Sequence, residues 1–368
     1  MTVKSLKEVI AAAEEGRLVF QDALLLYEKA DLLTLGQIAQ RMRFQKNPEP
    51  VVTYAVDRNI NYTNICVSGC SFCAFCRQKE DHDAYVLDRP TLERKCRETL
   101  ELGGTHILYQ GGMNLDLDLQ WHESRIRMMR DLGLHVHGFS PPEIVFMAEN
   151  AGLAIDEVIQ KLITAGLGSI PGGGAEILVD RVREKVSPKK ASTSQWLEVM
   201  RTAHNLGLKT TATMMFGHIE TAGERIQHLF AIRKLQDETG GFTAFIPWPY
   251  QPGGTTLTTR AAGGTTYLRM LAMSRVVLDN IEHIQSSWVT QGHHIGQVAL
   301  HFGADDLGST MIEENVVASA GVHNTISRSE IIRLIETAGF VALQRDTLYR
   351  PVERKAEDGR RRSVGSNG

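Results

Sequence analysis

Apolar positions in the first fifty residues recur every three or four places, in "SLKEVIAAAEEG", "FQDALLLYEKA" and "LLTLGQIAQRMRF". That period puts them on one face of a helix, so three amphipathic helices are expected, ended by the two prolines of "NPEP". Residues 1–50 therefore read as an N-terminal helical extension. Beyond them the period changes. Short apolar runs rich in β-branched residues alternate with helical stretches such as "LEVMRTAHNLG" and "ERIQHLFAIRKLQDETG", the pattern of repeated βα units around a parallel sheet. The runs read as strands are "NINYTNIC", "HILYQGG", "LHVHGFS", "GSIPGG", "KTTATMMFG", "AFIPWPY", "IQSSWVTQG" and "ADDLGST". Eight such units predict an α/β fold, a closed (β/α)8 TIM-type barrel over residues 51–350, with an open doubly wound sheet as the alternative. Residues 351–368, with "RKAEDGRRRSVGSNG", are polar and basic and are expected to be a disordered tail.

Composition narrows the classes. A chain of 368 residues with 42% hydrophobic content can bury a large core. Its 40 basic and 43 acidic side chains leave a net charge of -3 with no basic run inside the globular part, so charge-driven nucleic-acid binding is not expected. The start, "MTVKSLKEVIAAAEEGRLVF", has no uninterrupted apolar core and reads as a helix, neither a signal peptide nor a membrane span. A cytoplasmic protein is expected. In that reducing compartment, crowded cysteines more often bind metal or do chemistry than form disulfides.

Four of the five cysteines fall within the eleven residues from Cys66 to Cys76, in "NICVSGCSFCAFCRQK". The fifth, Cys96, reads as a small residue of a helix. Cys66, Cys70 and Cys73 have C-x3-C-x2-C spacing. A zinc site usually takes two separated pairs, and clusters of the bacterial ferredoxin kind place the three-residue gap last, before a proline. A 4Fe-4S cluster held by Cys66, Cys70 and Cys73, with one iron lacking a protein ligand, fits the spacing best; zinc and a four-cysteine electron carrier are the alternatives. In a barrel, chemistry belongs at the C-terminal ends of the strands. There lie the cysteine loop and "QGGMN", "FSPPE", "PGGGAE", "FGHIE", "PWPYQPGGT", "SWVTQG" and "DDLGS".

The cysteine motif, with Phe72 just before its third cysteine, resembles the radical S-adenosylmethionine superfamily. Within it, "NINYTNICVSGCSFCAF", "HVHGFSPPEI", "PGGGAEIL", "TTATMMFGHIET", "LQDETGGFTAFIPWPYQPG" and "SWVTQG" resemble the dehypoxanthinyl futalosine cyclases of the futalosine route to menaquinone. Aminofutalosine synthases and F0 synthase components share the cysteine motif and the "GGGAE"-like element. The chain departs from the pattern at Cys76, where the family has an aromatic residue. The resemblance implies one 4Fe-4S cluster and S-adenosylmethionine as cofactors, dehypoxanthine futalosine as small-molecule substrate, and a low-potential electron donor such as flavodoxin or ferredoxin. It implies hydrogen abstraction from the sugar, radical addition to the benzoate ring, and loss of an electron and a proton.

Such chemistry needs a held cofactor, a dry cavity and a proton acceptor. For the cofactor, Phe72, the paired Gly111 and Gly112, Ser140 and Glu176 are the candidates; as ordinary residues they would be a strand-end turn and first-turn helix acids. For the proton, His218, Glu143 and Asp306 compete, His218 because imidazole titrates near neutrality. Thr290 and Gln291, or Arg77, are candidate donors to the benzoate carboxylate. Trp288, with Trp248 and Tyr250, is a candidate wall for a flat ring.

Overall fold

The strands of the main sheet follow one another in chain order in the computed structural model of the protein, which describes residues 4–352. Val51–Ala55 (β1) runs through Val56 into Asp57–Asn61 (β2), followed by His106–Gln110 (β3), His135–Gly138 (β4) and Leu167–Ile170 (β5). Lys209–Phe216 (β6), Phe242–Pro249 (β7), His283–Ile284 (β8), Asp306–Ser309 (β9) and Val341–Gln344 (β10) complete the set. Strands β2 to β8 pair in parallel as one curled sheet, and β10, β1 and β9 form a second. A parallel bridge between Gln285 and Asp306 carries β8 onto β9, which pairs with β1. Because β1 leads directly into β2, the circle closes as a TIM-type barrel. A doubly wound sheet would require the strand order to reverse, and this one does not.

All eight expected strands are present, with three differences. "NINYTNIC" is strand only to Asn61, because Tyr62 and Thr63 already turn into the cysteine loop. "SWVTQG" is not strand: Trp288–Gln291 is one helical turn, with Ser287 Oγ 2.8 Å from Thr290 Oγ1 and Gly292 at φ 78 ending it. Both β1 and β10 are additions, the latter a four-residue edge strand too short to stand out from the helix before it. The tail from residue 353 onward lies outside the described residues.

Helices Leu6–Glu15, Phe20–Lys29 and Leu32–Lys46 form the N-terminal segment, and the third packs against the barrel helix Gly264–Val277. Among the described residues no helix is long and apolar enough to cross a membrane.

Strand alternation sorts the side chains. Ile107, Tyr109 and Val136 are fully buried in the main hydrophobic core. Asp57, Asn59, His106, Leu108, Gln110, His137, Thr211 and Thr213 instead face a cavity on the barrel axis. A TIM barrel usually fills its axis with branched aliphatic side chains. Here the inward set is mainly polar.

Candidate active site

Three parts meet at the open end of the barrel: the cysteine loop, the turns after β3 to β5, and the mouth of the axial cavity. The loop is fixed by backbone hydrogen bonds. Ser71 N–H donates to Val186 O (2.9 Å), Thr256 N–H to Ser71 O (3.1 Å), Val67 N–H to Met113 O (3.0 Å) and Arg77 N–H to Asn64 O (2.8 Å). Three segments distant in sequence thus hold one short loop, and the last bond closes its two ends on each other.

Within it, no cysteine is in a disulfide. Met113 N–H donates to Cys66 Sγ at 3.3 Å, and Ser68 Oγ lies 2.9 Å from Cys66 Sγ and 3.4 Å from Cys70 Sγ. Hydrogen bonding from Cys76, with help from Ser68 and Met113, brings the Cys66 thiol down to about 5. Burial pushes Cys70 up, and the nearby Lys190 opposes it. Cys76 Sγ also lies 3.3 Å from the Cys66 carbonyl oxygen, so the fourth thiol sits behind the first.

Lys190 is the residue the sequence did not flag. Its Nζ lies 3.0 Å from Glu176 Oε1 and 5.2 Å from the centre of the Phe72 ring. Burial opposes its charge, but Cys70 and Glu176 together raise its proton affinity. Burial likewise pushes the Glu176 carboxyl up, and Lys190 and Arg183 outweigh it, holding the group below the ordinary range. Glu176 has φ +40, a conformation rare outside glycine and typical of functional turns.

Gly111 and Gly112 show why glycine is needed there. A Cβ on Gly112 would lie 2.1 Å from the Ile65 carbonyl oxygen and 3.0 Å from Cys66 Cβ, and one on Gly111 would enter the Tyr62 ring at 2.7 Å. Glu143 supports this turn from below. Its carboxylate accepts from Tyr62 Oη (2.7 Å), Gly111 N (3.1 Å), Ser140 N (2.7 Å) and Ser140 Oγ (2.6 Å), although burial raises its pKa. With four donors it is a brace between two turns.

The donor set fits an iron-sulfur cluster. Of the four free thiols in the loop, Cys66, Cys70 and Cys73 keep the C-x3-C-x2-C spacing, N–H and O–H groups lie against sulfur, and a buried ammonium stands ready to offset thiolate charge. Among the described residues, no three His, Cys, Asp or Glu converge on a single-ion position.

The axial cavity, about 300 Å³, begins beside this assembly, since its lining residue Gln110 immediately precedes Gly111. Trp248, Ile246, Val289, Thr290, Val316 and Val317 line it along with the inward polar set. On that polar side, Asp57 lies 3.1 Å from His106 Nε2 and accepts from Ser309 Oγ. Arg345 grips Asp306 through two hydrogen bonds, 2.5 and 2.9 Å.

The other expected site residues are dispersed. The His218 side chain is fully buried, with Nε2 3.0 Å from the Met215 carbonyl and Nδ1 3.2 Å from Glu220; burial lowers its pKa, and it does not line the cavity. Asp306 is committed to Arg345, Thr53 Oγ1 (2.6 Å) and Gly308 N (2.8 Å). Thr290 reaches the cavity, whereas Gln291 and Trp288 do not line it, and the buried Trp288 donates to Ser309 O at 3.1 Å. Arg77 is turned to Asp83 at 2.8 Å. His106, His135, His137 and Ser169 carry no motif that singles them out in the sequence. Their one signal was the His-x-His of "LHVHG", which sends both imidazoles to the same face of a strand.

A parallel barrel with a C-x3-C-x2-C set of thiols in the loop after β2, and a glycine pair packed on that loop, defines a radical S-adenosylmethionine enzyme, which carries a 4Fe-4S cluster and S-adenosylmethionine. Residues 60–232 match the radical SAM superfamily, and residues 239–357 match the CofH/MqnC C-terminal region. The chain belongs to this CofH/MqnC family of radical SAM enzymes. It is similar to the cyclic dehypoxanthine futalosine synthase of Streptomyces coelicolor, 45% identical over 92% of this chain and 86% of that one. The protein of the same name from Halalkalibacterium halodurans is 41% identical over 94% of each. It is also similar to the 5-amino-6-(D-ribitylamino)uracil–L-tyrosine 4-hydroxyphenyl transferase of Archaeoglobus fulgidus, 44% identical over 81% of this chain and 88% of that one. Among solved structures, the FeFe-hydrogenase maturase HydG from Carboxydothermus hydrogenoformans shares the fold, with TM-score 0.74 at 15% identity, covering 94% of this chain and 80% of that one.

Proposed function

We propose that this enzyme cyclises dehypoxanthine futalosine to cyclic dehypoxanthine futalosine, a step towards menaquinone, in the cytoplasm and with electrons from a low-potential donor such as flavodoxin or ferredoxin. The observation that carries the reading is the axial cavity itself. It is deep, has one polar side and one side walled by Trp248 and aliphatic side chains, and starts one residue from the glycine pair that packs on Cys66. A substrate with a hydroxylated sugar at one end and an aromatic acid at the other suits those two sides. The two synthases at 45% and 41% identity support the same choice.

Cys66, Cys70 and Cys73 are the residues to hold the cluster, which with S-adenosylmethionine supplies a carbon radical able to take a hydrogen atom from the substrate. The chain's own part is placement and exclusion of water. Backbone at Gly111 and Gly112 admits the methionine end of the cofactor, Ser140 and Glu176 stand at the neighbouring turns, and Phe72 with Lys190 closes the side facing the sulfurs. The Thr290 hydroxyl, which donates to Ser287 O at 3.1 Å, would turn to a carboxylate in the cavity, and Val289 and Val317 keep solvent out.

The Archaeoglobus relative favours a second reading, transfer of a 4-hydroxyphenyl group from tyrosine to the ribitylaminouracil. Reconstituted enzyme with dithionite and S-adenosylmethionine should be offered dehypoxanthine futalosine in one reaction and tyrosine plus 5-amino-6-(D-ribitylamino)uracil in another. Cyclic product from the first alone supports the cyclase; an adduct from the second alone replaces it with the transferase.

A further inference from the structure

The floor of the cavity holds a chain of hydrogen bonds that none of the roles above uses. His137 lines the cavity from β4, and its Nδ1 lies 2.6 Å from Ser169 Oγ on β5. The same hydroxyl lies 2.7 Å from His135 Nε2. His137 and Ser169 are direct cross-strand partners, so the sheet register fixes this contact. His135, two residues earlier on the same face, begins β4 at the end of the barrel opposite the cysteine loop, and is only partly buried there. Gly168 leaves the space its ring occupies: a Cβ there would come within 2.4 Å of His135 Cε1.

We infer that His137, Ser169 and His135 form a proton exit through the barrel floor, with His137 accepting the proton lost when the cyclised ring regains aromaticity. This rests on the cyclase reading. His137 Nε2 takes the proton, its Nδ1 proton passes to the Ser169 oxygen, the serine proton passes to His135 Nε2, and the His135 Nδ1 proton leaves to water. No net charge stays on the chain, and the electron lost in the same step goes to a one-electron acceptor. Burial, then the neighbouring His106, lowers the proton affinity of both rings, to about 4 at His135 and well below the ordinary value at His137. His106, Arg345, Asp346 and Arg350 are the other charged or titratable groups that act on the pair, and Asp57 holds His106.

The test separates the step before proton loss from the step after it. With dehypoxanthine futalosine, wild-type enzyme should form 5′-deoxyadenosine and cyclic product in equal amounts. Ser169→Ala should keep forming 5′-deoxyadenosine while product falls roughly 10-fold behind it, His137→Gln should widen that gap to about 100-fold, and Ser169→Thr should restore the balance. Equal amounts at wild-type rate in both Ser169→Ala and His137→Gln overturn the relay. Absence of cyclic product from the wild type overturns the cyclase reading instead. Independently of turnover, 15N-histidine NMR of the protein should show Ser169→Ala altering the ring signals of His135 and His137 together; a change at neither ring also sinks the proposal.

Discussion

At the scale of single residues, the site depends on a few close approaches that leave no room for a side chain. Gly112 is the sharpest. The obstacle to a Cβ there is the Ile65 backbone, 2.1 Å away, which cannot swing aside as a flexible side chain would. Gly112→Ala should therefore displace the cysteine loop, and iron after anaerobic reconstitution should fall from about four per chain to near zero. Gly69 is the control. It has φ +57 and open space around it, so Gly69→Ala should cost about 1 kcal/mol of backbone strain and retain the iron. Equal iron loss in both variants would show that the loop is merely intolerant of change. The glycine pair and the cysteines were legible from sequence because their spacing is local. Lys190 was not, since a lone lysine 14 residues after Glu176 carries no pattern until the fold brings its ammonium 3.0 Å from that carboxylate.

At the scale of elements, the barrel is closed by side chains as much as by strand pairing. The ring has only a two-residue β8, and the buried Arg275 of the helix Gly264–Val277 makes up for it. Its guanidinium donates to Gly303 O (2.9 Å), Glu282 O (2.8 Å) and Asp305 Oδ1 (2.8 Å). Arg275→Met leaves the buried Asp305 carboxylate with Asn47, His283 and the Ile284 N–H but without its permanent counter-charge, and should lower stability by about 3–5 kcal/mol in urea unfolding at neutral pH. Acid changes this contrast. Burial pushes Asp305 up, but Arg275 and His283 outweigh it and hold its folded pKa below the ordinary carboxylate value. The contribution is present above the ordinary value and disappears as pH falls through the folded one, so wild type and variant should begin to converge below about pH 4 and meet only below the folded pKa. A gap that persists undiminished in acid would point to lost packing rather than lost charge pairing. Strand existence was legible here, since alternating apolar runs mark it. The short β8, the helical turn at Trp288–Gln291 and the edge strand β10 were not, because tertiary contacts decide such short pieces.

At the scale of the whole molecule, the two matched regions divide the work. Residues 60–232 contribute the cysteine loop, the glycine pair and the cavity side bearing Gln110, His137 and Thr213, while residues 239–357 contribute Ile246, Trp248, Ser309, Arg345 and Tyr349. Four non-glycine residues among those described have positive φ: Phe139, Glu176, Met311 and Tyr349. Met311 and Tyr349 line the cavity, and Phe139 and Glu176 lie in the turns after β4 and β5, so positive-φ residues gather at the candidate site and both regions supply them. The barrel and its working end could be read from sequence, but the polar axis could not. Alternation reveals which residues share a face, and only closure of the ring reveals that the polar face points inward. The central claim is that three thiols hold a cluster with one iron left for S-adenosylmethionine at the mouth of this cavity. Electron paramagnetic resonance of the anaerobically reconstituted, dithionite-reduced protein, recorded before and after adding S-adenosylmethionine, tests it most directly. The account predicts a 4Fe-4S signal whose g values shift on addition; a signal that does not change would contradict it.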